Sequence, residues 1–159
     1  MADLFNPDHL ATRSEHFIAG EWTSNNDEQI EVLRPSDRAV QGQICNGSED
    51  SVDRAVNAAS KAFKNGWGTM APRDRANLLR KWADLIDANA EEIARLESSV
   101  SCRVYTEVAA RDVRVVSNCL RFFGEYADKV TGDVTSTPSD ILSLTLSEPW
   151  GVVAGIVPW

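Results

Sequence analysis

The stretch EPWGVVAGIVPW, Glu148 to Trp159, decides the fold. Val152, Val153, Ala154, Ile156 and Val157 are apolar, and no polar residue alternates with them. A strand with one wet face alternates. This one reads as a strand buried on both faces, the pattern of a parallel sheet with helices on either side. In open α/β sheets ligands bind just beyond the carboxyl ends of the strands, where Pro158 and Trp159 stand. A lone buried strand leaves N–H and C=O groups unpaired along both edges, so this segment needs neighbours.

Outward from that stretch, ILSLTLSE alternates. Leu142, Leu144 and Leu146 fall on one face and Ser143, Thr145 and Ser147 on the other, which predicts a half-exposed strand. Before it the period is helical. Val113, Val116, Leu120, Phe123, Ala127 and Val130 line one side of a helix expected from about Thr106 to Val130, with Gly132 as its stop. Leu78, Leu79, Trp82, Leu85 and Ile86 make an apolar stripe on a helix that starts near Pro72. Asn89 to Glu92 reads as a fresh cap, so a separate helix follows with Ile93, Leu96 and Val100 inward. Val52, Val56, Ala59 and Phe63 mark a first helix, capped by Ser48 and closed by Gly66. Towards the N-terminus, Phe17 and Trp22 flank Ala19-Gly20 as a tight hairpin. EQIEVLRP and GQICNG predict two more short strands. Residues 1–14 read as loosely ordered.

The chain has 159 residues, 43% of them hydrophobic and 25% charged, which suits a soluble domain with a core. Its net charge of −8 disfavours nucleic acid as a partner, because phosphate binding needs clustered Lys and Arg. The start, MADLFNPDHLATRSEHF, has neither the basic opening nor the apolar run of a secretory signal, and the longest apolar stretch is too short to span a bilayer. The expected compartment is the cytosol, with no membrane partner. There Cys45, Cys102 and Cys119 are expected as reduced thiols, and their spacing fits no metal site. His9 and His16 read as surface residues.

Seven segments in order resemble the N-terminal third of the NAD(P)-dependent aldehyde dehydrogenase family. They are FIAGEW (17–22), the strand ending LRP (33–35), SVDRAVNAASKAF (51–63), W-x-x-M (67–70), RANLLRKWADLIDANAEEIARLE (75–97), CLRFFGEYADKV-x-G (119–132) and EPWGVVAGIVPW (148–159). Any one of them is weak; RANLLRKWADLI by itself is an amphipathic helix. The resemblance implies an α/β fold: the N-terminal helical part of a doubly wound, Rossmann-like cofactor domain, with an oligomerisation-arm strand and a sheet left incomplete in this chain. It divides the chain into an N-terminus at 1–16, strands and helices of the cofactor domain at 17–133, an arm strand at 134–149 and the first buried sheet strand at 150–159.

The chemistry that the resemblance implies is oxidation of an aldehyde to a carboxylic acid. A Cys thiolate attacks the aldehyde, a hydride passes to NAD or NADP, and a Glu-activated water releases the acid. The family's nucleophile, base, oxyanion Asn and Gly-rich turn match nothing here, and the Asn would directly follow Trp159. No catalytic residue is therefore assigned, and none of the three cysteines has the nucleophile's context. Ile156, Val157, Pro158 and Trp159 match positions that line the adenosine side of the dinucleotide. Tight NAD(P) binding by this chain alone is not expected. The implied partners are the remainder of an aldehyde dehydrogenase chain or a second subunit, with the complete enzyme a homo-oligomer.

One departure from the family matters. Where it has a segment ending Asp-Asn-Gly-Lys-Pro, this chain has Val100, Ser101, Cys102, Arg103 and Val104. Gly there suits a positive φ after a helix, and Cys would cost about 1–2 kcal/mol if the geometry is kept. Val100 replaces an Asp that contributes to a monovalent-cation site in several members, so no metal is expected. The alternative function is a non-catalytic interaction or oligomerisation module, or a relic, of the same family. A generic helical binding domain is the remaining reading.

Overall fold

The computed structural model describes residues 6–24 and 28–158. Among the described residues, six short strands pair into three separate antiparallel hairpins. These are β1 (His16–Ile18) with β2 (Glu21–Thr23), β3 (Gln29–Leu33) with β4 (Val40–Cys45), and β5 (Asp133–Thr135) with β6 (Ser143–Thr145). The first hairpin turns as expected at Ala19-Gly20, with φ of 56° and 87°, and sets Phe17 opposite Trp22. In the second, Ile30 faces Ile44 and Val32 faces Gly42 before a bulge at Val32/Leu33.

Helix α1 (Glu49–Ala62) begins on Ser48, whose Oγ accepts the Ser51 N–H at 3.3 Å. It passes into a π turn (Phe63–Trp67), and the chain leaves the turn at Gly68 rather than at Gly66. Helix α2 (Pro72–Ala88) and α3 (Ala90–Ser101) are separated at Asn89. The expected break is there, but Asn89 does not cap α3: its Nδ2 turns back to donate to the Leu85 carbonyl at 2.8 Å. The last helical region is α4 (Tyr105–Glu107), a π turn (Val108–Asp112) and α5 (Val113–Tyr126). It ends several residues before the expected limit, because Lys129 satisfies its last carbonyls: the backbone N–H donates to Tyr126 O and Nζ to Glu125 O. Gly132 is therefore not a helix stop.

The helices pack through small residues. Ala76 and Ala83 of α2 and Ser117 and Gly124 of α5 are buried, and a Cβ on Gly124 would lie 3.3 Å from the Ala76 carbonyl oxygen. That close crossing leaves Leu79, Ile86 and Leu120 half-buried along the seam. A second cluster joins Ala94, Val108 and Val113, with Ile86, Ala90, Tyr105 and Ala109 against it. The expected inward stripes are corrected here. Leu78, Trp82 and Leu85 of α2, Val116 and Phe123 of α5, and Val52 and Val56 of α1 are exposed, and so is Val130 beyond α5. Nothing among the described residues covers them.

Within the expected arm segment 134–149, strand is formed over Ser143–Thr145 and over the end of β5 that pairs with it, and Leu142, Leu144 and Leu146 are exposed. The expected buried strand over 150–159 is not formed among residues 150–158, which pair with no other segment and are exposed throughout. An apolar run becomes a buried strand only where other strands bond its edges and helices cover its faces. Of the N-terminus read as poorly ordered, residues 1–5 lie outside the described residues and 6–16 are tied down. Asn6 caps a short turn at Pro7–His9, and Ser14 O accepts the Cys45 N–H at 2.8 Å.

Candidate functional site

Ile156, Val157 and Pro158 lie side by side at the end of the described chain, and Ile156 is 98% exposed. Trp159 lies outside the described residues. Just upstream, Trp150 is 96% exposed and Gly151 takes φ of 87°. The three residues thus share an exposed segment. What they offer is open apolar surface, chemically fit for the face of an aromatic base and unfit for a phosphate, which needs N–H donors or cations.

Elsewhere, two arginines that the sequence did not single out each bind two carboxylates. Arg34, at the end of β3, is buried. Its Nε and Nη2 donate to the two Asp37 oxygens at 3.1 and 2.9 Å, and its Nη1 donates to Asp8 at 2.5 Å. The Arg34 fork, and then the Ala39 N–H, hold the Asp37 carboxyl below the usual carboxylate range. The spacing R-P-S-D was the available signal: Pro forces a turn, and a turn brings an Asp three residues on back to the Arg. Arg121 of α5 reaches across to Asp84 at 2.6 Å and Asp87 at 2.7 Å on α2. The Ser117 hydroxyl, and then Arg121, keep Asp87 low. Both clusters hold elements together and neither opens towards Ile156–Pro158.

The cysteines are separate. Cys45 is buried in β4, with Gln29 Nε2 donating to its sulfur at 3.0 Å; Cys102 and Cys119 are exposed. The contact ties the start of β3 to the end of β4. Among the described residues, no three His, Cys, Asp or Glu side chains come together as a metal-binding group, and no helix is long and apolar enough to cross a membrane. Cys102 ends α3 with φ of 59° and ψ of 22°, the left-handed cap expected from the comparison with Gly at that place.

Helices with bare apolar faces, short antiparallel hairpins and an unpaired apolar run make a mixed helix and strand unit with an incomplete sheet. The model of the aldehyde dehydrogenase family matches residues 22–159, and the chain belongs to that family. It is 36% identical over 152 residues to the NADP/NAD-dependent aldehyde dehydrogenase PuuC of Escherichia coli (strain K12), covering 94% of this chain and 31% of that protein. It is 34% identical to cytosolic aldehyde dehydrogenase 1 of Rattus norvegicus, with 90% and 29% covered. Among solved structures, the NAD+ complex of aldehyde dehydrogenase from Bacillus cereus superposes with a TM-score of 0.82 at 31% identity, covering 88% of this chain and 29% of that one. The chain thus spans about a third of the length of its curated relatives.

Proposed function

We propose that this chain is the N-terminal portion of an NAD(P)-dependent aldehyde dehydrogenase, and that it is inactive without the remaining portion. The supporting observation is the match to relatives of which this chain spans about a third, set beside the apolar surface left open here. In the complete enzyme, residues 134–149 supply the arm strand of a homo-oligomer. Residues 150–159 enter the cofactor sheet, and Ile156, Val157, Pro158 and Trp159 line the adenosine side of NAD or NADP. The cofactor accepts the hydride; this chain's part is to give its base an apolar wall and to flank the sheet with α2 and α5.

The test is a dehydrogenase assay of the chain alone and mixed with a chain covering the rest of a relative such as PuuC. NAD(P)H should form only in the mixture, because removing part of a cooperating catalytic set removes most of the rate. Dinucleotide affinity of the isolated chain should be weaker than about millimolar, since the phosphate-binding turn that supplies most of the binding energy is missing. NAD(P)H production by the pure chain, or micromolar NAD binding by calorimetry, would overturn the proposal.

A further inference from the structure

The N-terminal segment makes an unexpected set of contacts. Pro7 O accepts Gln41 Nε2 at 3.0 Å, and Gln41 Oε1 accepts the hydroxyl of the buried Ser99 on α3. Asp8 is bound to the buried Arg34. Thr12 packs so closely over Gly42 that a Cβ there would lie 2.6 Å from the Thr12 hydroxyl oxygen. Ser14 O accepts the Cys45 N–H at 2.8 Å. The Arg13 guanidinium lies 4.7 Å from the Trp22 ring centroid. Beneath this segment runs a cleft of about 600 Å³, walled by Ala11, Thr12 and Arg13 on one side and floored by Val32, Ile44, Leu96 and Val100.

From these contacts we propose that residues 6–14 form a strap that closes the cleft between the β3–β4 hairpin and α3, with Gln41 as its latch. Gln41 uses its amide donor on the strap and its acceptor on α3. Opening the strap breaks the bonds to Arg34, Gln41 and Cys45 together and removes one wall of the cleft, while the α2–α5 seam, closed by other residues, stays shut. The strap is thus a local opening unit of lower stability than the helical pair.

Amide hydrogen exchange on the full chain tests this, with the Cys45 N–H reporting the strap and the Ala83 and Ala94 N–H groups reporting the helices. Gln41→Glu keeps an acceptor for Ser99 and loses the donor to Pro7; Asp8→Asn removes the ion pair with Arg34. Each should speed Cys45 exchange by about fivefold to tenfold, the usual consequence of losing one such bond, and speed trypsin cleavage after Arg13 to a similar extent. The helix amides should not change. Unchanged Cys45 exchange in both variants, or Cys45 and helix amides accelerating together, would overturn the proposal.

Discussion

Cys102 holds a left-handed conformation in which a Cβ crowds the following carbonyl. It is exposed, so replacing it removes no core contact. Cys102→Gly should therefore stabilise the chain by about 1 kcal/mol. The urea midpoint should rise with no change in slope. Gly132 is a residue of the opposite kind. A Cβ there would lie 2.0 Å from the Thr145 carbonyl oxygen, a collision with backbone that no rotamer relieves. Gly132→Ala should part β5 from β6, seen as lost amide protection over 133–135 and 143–145 with the helix amides unaffected.

At the level of elements, the α2–α5 pair is clamped at its polar edge by Arg121 against Asp84 and Asp87. The lowered Asp87 binds its proton less readily folded than unfolded. Its contribution to stability is therefore complete above the ordinary carboxylate pKa of about 4 and is lost as pH falls through the depressed folded value. Asp37 in the β3–β4 turn has the same sign. Thermal midpoints measured below about pH 4 should fall with pH, and Asp87→Asn should flatten that fall while lowering the midpoint at neutral pH. A variant with the wild-type slope would show that the clamp is not formed in solution. The seam itself depends on small side chains. Gly124→Leu should separate the helices, because the bulk would meet the Ala76 carbonyl and the Leu79 Cβ.

Across the whole molecule, apolar surface is left open on α1, α2, α5 and residues 141–157. Burying one such side chain fully is worth roughly 1.5–3 kcal/mol, so leaving several bare forfeits stability on the scale of a whole domain. Hydrogen exchange should find fast amides over the unpaired residues 150–157 and slow ones in the helices. Truncation after Gly132 should raise solubility, since it removes the unpaired apolar run. If the 150–157 amides are the slowest in a dilute monomer, the chain closes a sheet of its own and the proposed role as part of a larger domain fails.

The sequence by itself determined the features that depend on neighbours a few residues away. The Ala19-Gly20 turn, the Ser48 cap and the break at Asn89 follow from backbone sterics and nearby hydrogen bonds, whereas the left-handed Cys102 was legible only through the family resemblance. Family membership was legible too, because seven ordered segments carry more information than any one helix. The inward faces were not. Leu78, Trp82 and Phe123 have the spacing of core residues, yet Ala76, Ala83, Ser117 and Gly124 form the seam. Periodicity says that a face is apolar and not what will cover it, and the closest crossing goes to the smallest side chains. The run Val152–Val157 carries the signature of a buried strand and stands in the open. Burial is a property of two surfaces in contact, and only the tertiary structure says whether the second one is there.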